Sequence, residues 1–244
     1  MVAVVQLVEH QVVILGVAGS SPVSHPEVEH RLTCTRGWGD VCFPGVTRPA
    51  GTVVNVGDAV ELRAVCLEGP RVRLRKARDG DAEGLIETQT DERVRRYLGG
   101  PRPVNDVRAV LESVGAATLL EDPGCYIATA ADSDEMLGTV TLSRRRTDVP
   151  GHLDTGDDEL ELSYVFRPHA WGQGYASEAA RLLLEYAAGE LGDQPVVIVT
   201  QTANRASLRL AERLGFSIVG TFEQYDAEQA LATAQLATFL PTEA

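Results

Sequence analysis

The 244-residue sequence predicts an α/β (α+β) domain preceded by an extension of different character. Three stretches carry that expectation. Glu159 to Ala180, ELELSYVFRPHAWGQGYASEAA, reads as a strand, a tight glycine-bearing loop and the start of a helix. In that helix Ala179, Leu182, Leu183, Tyr186 and Ala187 recur at helical spacing, and Gly192 closes it. Pro195 to Thr200, PVVIVT, is an unbroken β-branched apolar run, as expected of a strand covered on both faces. Strands mixed with helices, without strict βαβ alternation, point to a sandwich of sheet and helices.

Residues 1–58 read differently. Val2 to Val17 keeps neither a helical nor a strand period, and prolines and glycines recur from Ser20 to Gly57. Back-translation suggests why. Gln6 to His10 can be written CAG CTG GTA GAG CAC, Gln11 to Leu15 CAG GTT GTG ATC CTG, and Gly19 to Pro22 GGT TCA AGT CCC. In that order they resemble the D-arm, anticodon arm and T-arm of a bacterial histidine transfer-RNA gene, so residues 1–26 resemble its read-through translation. The expected division is a non-native or disordered extension over 1–58 and a folded domain over 60–244, with the authentic start at Val54, Val56 or Val60. His25, His30, Cys34 and Cys42 match no common zinc spacing, and no metal is expected.

The remaining elements follow in order. Arg71 to Lys76, RVRLRK, alternates basic and apolar residues as a half-buried strand at a sheet edge would. Asp79 to Asp81 caps a short helix over Ala82 to Thr88. A second helix over Asp91 to Leu98 ends at Gly99 and Gly100, and a third runs from Asp106 to Leu120. Cys125 to Ala130 and Gly138 to Ser143 form a hairpin about an acidic turn. Arg144 to Asp158 is polar and glycine- and proline-bearing, a loop of the kind that can cover a site. After the buried strand come a helix over Asn204 to Leu214, stopped by Gly215, and closing strands at Ser217 to Phe222 and Ala232 to Leu240.

Composition excludes some functions. A formal net charge of -13 opposes a nucleic-acid partner, because a phosphate backbone calls for a basic surface. Glu9 and His10 precede Val12 to Ala18 where a signal peptide needs positive charge, and no run is long enough to span a bilayer, so a cytoplasmic protein without a membrane partner is expected. Cys34, Cys42, Cys66 and Cys125 form no paired framework. Lys76 is the only lysine, a bias toward arginine that suggests a GC-rich, bacterial gene.

Trp171-Gly172-Gln173-Gly174-Tyr175-Ala176 places small residues just ahead of a helix, where unpaired N–H groups and the helix dipole can seat a phosphate. A plain strand-to-helix turn is the bland alternative. A dinucleotide fold does not fit, because the third glycine and the acidic ribose residue are missing. One helix and one strand later stands Thr200-Gln201-Thr202-Ala203-Asn204-Arg205-Ala206-Ser207, followed by Leu214-Gly215-Phe216. In this pairing the chain, over about Leu67 to Leu240, resembles the GCN5-related N-acetyltransferases, especially the branch that acetylates N-termini of ribosomal proteins.

The resemblance implies a mixed, mostly antiparallel sheet with a splayed central strand and helices on both faces. It implies acetyl-CoA as co-substrate, with backbone groups of Val165 and Phe166 along the pantetheine arm and a splay after Phe166. Residues Trp171 to Ala176, Gly172, Gln173, Gly174 and Tyr175 among them, would hold the pyrophosphate, and Asn204 the pantetheine amide or the last carbonyl before the splay, a role compatible with a helix N-cap. Glu161 is the candidate base, set against a solvent-facing strand carboxylate. Ser207 is the candidate for assisting the thiolate and contacting the cofactor. Many relatives carry a tyrosine where this chain has Ala211, and Tyr164 is a possible substitute or a plain sheet tyrosine. His169 reads as loop surface. The expected reaction is direct acetyl transfer in a ternary complex to a primary amine, a protein N-terminus first and a small amine or antibiotic second. The rival is a catalytically silent acyl-CoA-binding module. A monomer or homodimer is expected.

Overall fold

A computed structural model of the chain describes residues 60–145, 149–153 and 159–241. The proposed extension, the codon resemblance over 1–26 and the histidines and cysteines ahead of Val60 lie outside the described residues. Eight strands form one sheet in the order β1-β2-β3-β4-β5-β6-β8-β7. They are β1 (Cys66–Glu68), β2 (Val72–Arg75), β3 (Cys125–Ala130), β4 (Met136–Arg144), β5 (Leu160–Phe166), β6 (Pro195–Gln201), β7 (Ser217–Gln224) and β8 (Ala227–Gln235). Every neighbouring pair is antiparallel except β5 and β6.

The helices are α1 (Ala82–Thr90), α2 (Glu92–Arg95), α3 (Val104–Val114), α4 (Ala116–Leu119), α5 (Tyr175–Leu191) and α6 (Arg205–Leu214). One face of the sheet buries Ala179, Leu183, Leu184 and Ala187 of α5 with Leu210, Ala211 and Leu214 of α6 against Val72, Val140, Leu162 and Ile198. On the other face Leu85 of α1, Ala116 of α4 and Leu120 pack on Ile127 and Met136. Leu153 and Phe222 pack there on Val197, Val199 and Leu231. Between these two smaller clusters the second face of β5 carries Glu161 and Ser163, with Val165 toward its end.

Four expectations change. Arg71 to Lys76 is not an edge: β1 pairs outside β2 at Leu67↔Leu74, because the strand's alternate positions Val72 and Leu74 are wholly buried and need neighbours on both sides. The second helix is shorter than Asp91 to Leu98, and Gly99 and Gly100 take positive φ beyond it. The third is broken by Gly115 at φ +83°, a conformation glycine alone adopts without strain. The last strand is Ala227–Gln235 rather than Ala232 to Leu240, since the hairpin turns at Tyr225 and Asp226, both at positive φ, and Leu236–Phe239 forms a 3₁₀ turn.

Gly138 sits where β4 meets the end of β5. A Cβ there would lie 2.3 Å from the Val165 carbonyl oxygen and 2.8 Å from Phe166 Cα, both backbone atoms. Gly138→Ala is therefore expected to force β4 and β5 apart and cost on the order of 1–3 kcal/mol, read as a lowered Tm in thermal unfolding.

Candidate functional site

The site begins as a gap in the sheet. β5 pairs with β4 along its length, from Leu160↔Arg144 to Phe166↔Gly138. It pairs with β6 only at Leu160↔Val196 and Glu161↔Val197, whereas β6 continues beside β8 as far as Gln201↔Gln229. The two parallel strands thus diverge after Glu161, earlier than the expected point after Phe166.

The hydrogen-bond phase determines which backbone groups face this gap. Arg145 N–H donates to Glu159 O and Arg167 N–H to Leu137 O, each at 2.8 Å. In an antiparallel ladder, alternate residues turn both backbone groups to the partner. Residues 159, 161, 163, 165 and 167 therefore bond β4, and beyond the Glu161↔Val197 pairing, which takes up the Leu162 N–H, Tyr164 and Phe166 present N–H and C=O to the gap. Val165, expected on that edge, instead turns toward Thr139. The Phe166 carbonyl accepts from Trp171 Nε1 at 2.8 Å, which leaves the Phe166 N–H on the open edge.

Next to the gap the chain turns into α5. Gly172 and Gly174 lie at φ +75° and +84°, and Gly174 is the N-cap. Glu178 N–H donates back to Gly174 O at 3.1 Å, the first bond of the helix, so the N–H groups ahead of it project from the helix end. Gln173 braces the loop by donating Nε2 to His169 O at 2.7 Å. Arg71 reaches in from the start of β2: its Nη1 donates to Gln173 O at 3.1 Å, and its guanidinium lies over the Tyr175 ring at 5.2 Å. Glu178 holds it there, accepting from Arg71 Nε at 2.8 Å and from the Arg71 and Val72 N–H groups at 2.7 and 3.1 Å.

Across the gap stands α6. Asn204 caps it, accepting from Ser207 N–H at 3.3 Å and donating Nδ2 to Thr200 Oγ1 at 3.2 Å. The Tyr164 hydroxyl lies 2.6 Å from Ser207 Oγ, a pair in which either oxygen can donate. Burial pushes the Tyr164 phenol up to about 12, partly offset by its bond to Ser207. It is therefore a proton donor rather than a base near neutral pH. Ala211 is buried in the core.

Glu161 projects from the opposite face of β5. It is 1% exposed, on the fifth of eight strands, so the alternative of a solvent-facing carboxylate does not hold. Arg145, fully buried, donates Nη1 to Glu161 Oε2 at 2.9 Å, Nε to Gly151 O at 2.9 Å and Nη2 to Pro150 O. Two residues back, Glu159 accepts from Leu153 N–H at 2.6 Å and lies 2.7 Å from His152 Nδ1. Among the described residues Glu161 Oε1 and His152 Nε2, both buried, have no hydrogen-bond partner. The described part of the Arg144 to Asp158 loop is thus packed on β5 through a polar network.

The gap brings together Phe166, Trp171 to Ala176, Asn204 and Ser207, with Glu161 on the far face of the same strand. His169 is exposed and lies 3.3 Å from Glu135 Oε1, as surface. Arg71, Arg145 and the Glu159–His152 pair were not legible as site residues. Arg145 sits inside an arginine run that reads as loop, and Arg71 is about a hundred residues from the loop it supports, with nothing local to mark either. Among the described residues no cluster of three or more His, Cys, Asp or Glu side chains could hold a metal ion.

Comparison with known proteins gives a consistent result. A family profile described as "Acetyltransferase (GNAT) domain" matches residues 71–217. The uncharacterized N-acetyltransferase YoaA of Bacillus subtilis is 27% identical over 165 residues, covering 65% of this chain and 86% of that protein. The FsC-acetyl coenzyme A-N(2)-transacetylase of Aspergillus fumigatus is 41% identical over 149 residues, 59% of this chain and 62% of that one. Among solved structures, an acetyltransferase (GNAT family) from Bacillus anthracis superposes with a TM-score of 0.56 at 21% identity, covering 70% of this chain and 98% of its own.

The Tyr164 environment can be read directly. Burial also raises Tyr126 to about 12, so these two tyrosines should ionise late in an ultraviolet titration. Their folded values lie above the unfolded one, so the stability they contribute is intact below about pH 10 and falls as pH climbs toward 12. Tyr164→Phe is expected to remove one of the two late transitions, and a titration unchanged by it would contradict the burial described.

Proposed function

The chain belongs to the GNAT acetyltransferase family, and from that premise we propose that it moves acetyl from acetyl-CoA to a primary amine by direct transfer in a ternary complex. Acetyl-CoA dependence comes with the family. The observation that carries the rest is the open edge of β5 between Glu161 and Phe166, set beside a helix start with free N–H groups. An extended pantetheine arm can complete the ladder that β6 abandons, bonding Tyr164 and Phe166. The N–H groups of Gly172 to Ala176 then take the pyrophosphate at the α5 N-terminus. Trp171 closes the loop through Phe166 O, and Gln173 holds its shape.

Each step of the reaction has a group on this chain. Glu161 Oε1 accepts an N–H of the incoming amine and draws off its proton, directly or through water. The nitrogen lone pair attacks the thioester carbon, and an N–H on the open edge, of Tyr164 or Phe166, bonds the oxygen that becomes anionic. As the carbon–sulfur bond breaks, Ser207 Oγ–H donates its proton to the thiolate and recovers one from Tyr164, 2.6 Å behind it, and the phenol is reprotonated from solvent as Glu161 releases the proton it took from the amine. Asn204 holds Ser207 by capping α6.

A protein N-terminus, as in the branch that acetylates ribosomal proteins, is the leading acceptor on sequence pattern. A small amine is the second reading, favoured by the 41% identity to a protein whose name specifies N(2)-transacetylation. A panel of peptides with free N-termini and small polyamines, with release of thiol from acetyl-CoA as the readout, separates them. Binding of acetyl-CoA with no thiol release on any amine would support a silent binding module instead.

On the enzyme reading, Ser207→Ala is expected to lower kcat by about 10²-fold while changing the KM for acetyl-CoA little, the mark of a proton donor used only as the thiolate leaves. Asn204→Ala should cost about 1 kcal/mol in thermal stability through the lost cap, together with a loss of kcat.

A further inference from the structure

We propose that Arg145 is a positioning residue that keeps the Glu161 carboxylate charged and aims its free oxygen at a cationic acceptor amine. The inference rests on the acetyl-transfer reading and extends it to how the acceptor is recognised. Glu161 is almost wholly buried, and a carboxylate in that setting stays ionised only beside a countercharge. Arg145 provides it at 2.9 Å, and the guanidinium is itself fully buried.

The arrangement is asymmetric in a way that an ion pair needed only for the fold would not require. Arginine and carboxylate can meet through two parallel bonds, as Arg75 and Asp81 do in this protein at 2.8 Å each. Arg145 gives Glu161 a single bond, through Nη1 to Oε2, and spends its other nitrogens on the Gly151 and Pro150 carbonyls. Oε1 is left buried and unpartnered among the described residues. An anionic oxygen in that state is complemented by an ammonium or amine N–H, which selects a cationic acceptor.

The surroundings restrict what else could meet Glu161. Ser143 lies opposite on β4 and Val197 on β6, and neither carries charge. Phe222 of β7 lies over the Arg145 guanidinium at 6.0 Å. Within the same polar network the titratable groups among the described residues are Glu159 and His152, which are engaged with each other. Arg145 is thus the cation paired with Glu161 among the described residues, and through Gly151 and Pro150 it ties the covering loop to the carboxylate.

The test is the pH dependence of acetyl transfer to the amine panel by wild type, Arg145→Met, Arg145→Lys and the double variant Arg145→Met/Glu161→Gln. With the countercharge gone, the lone carboxylate takes up a proton, so Arg145→Met should lose roughly tenfold or more in kcat/KM for the amine near neutral pH and regain activity as pH rises. Arg145→Lys should restore part of the neutral-pH activity. The double variant, which removes both charges, should melt close to wild type and stay slow at every pH. Infrared difference spectra should show a protonated carboxyl in Arg145→Met that the double variant lacks, a readout that needs no acceptor. A uniform loss of activity parallel to the wild-type profile, with no protonated carboxyl, would overturn the proposal. Wild type that binds acetyl-CoA but acetylates no amine would instead overturn the acetyl-transfer reading itself.

Discussion

The structure depends on a parallel pairing that is abandoned after two residues. Backbone N–H and C=O groups are obligatory hydrogen-bonding groups, and a buried strand edge that lacks partners is unstable unless something completes it. β5 meets β6 at Leu160 and Glu161 and then departs, while β6 keeps β8 as its neighbour. On the β6 side, uninterrupted pairing with β8 as far as Gln201 keeps the strand in the sheet after it leaves β5. What makes the divergence tolerable on the β5 side is uninterrupted pairing with β4. The open groups of Tyr164 and Phe166 are then confined to a single edge, where an extended ligand can supply the missing ladder.

The surrounding elements hold that edge in shape. Phe166 O is taken up by Trp171, which draws the glycine loop against the strand end. Gly138 lets β4 approach Phe166 more closely than any side chain would permit. Arg71 and Glu178 join the start of β2 to the first turn of α5, so the helix end is braced from the distant side of the sheet. Arg71 also brings positive charge to the loop, although the neighbouring Glu178 carboxylate offsets it.

Much of this was legible in the sequence because local chemistry dictated it. The glycines around Gln173, the cap at Asn204, the stop at Gly215 and the β-branched run of β6 each carry their own signal, and α5 falls where its apolar period predicts. The misreadings come from long-range pairing. Nothing within Cys66–Glu68 predicts a strand, since it exists through its pairing with β2. The point of divergence depends on where β6 leaves β5, and the assignment of the open edge to Tyr164 rather than Val165 depends on the hydrogen-bond phase of the β4–β5 ladder. Arg145 reads as one more loop arginine, and only its position opposite Glu159 in the β4–β5 ladder brings its side chain to Glu161.

The period of the strand has a chemical consequence. Glu161 and Tyr164 differ by an odd number of residues, so their side chains project from opposite faces of β5. Tyr164 points to the α5 and α6 side, where its hydroxyl meets Ser207. Glu161 points to the side covered by Arg145 and the Gly151 loop. On the proposed mechanism, a thioester carbonyl bonded to the strand edge lies between them. An amine that approaches from the Glu161 face attacks opposite the side from which Ser207 reaches the sulfur. The proton taken and the proton given are then handled by separate groups, with the strand itself between them. A base and an acid on one face would compete for the same space and for each other's proton. The odd spacing avoids this, and the early divergence of β6 opens the edge on which the reacting carbon would sit.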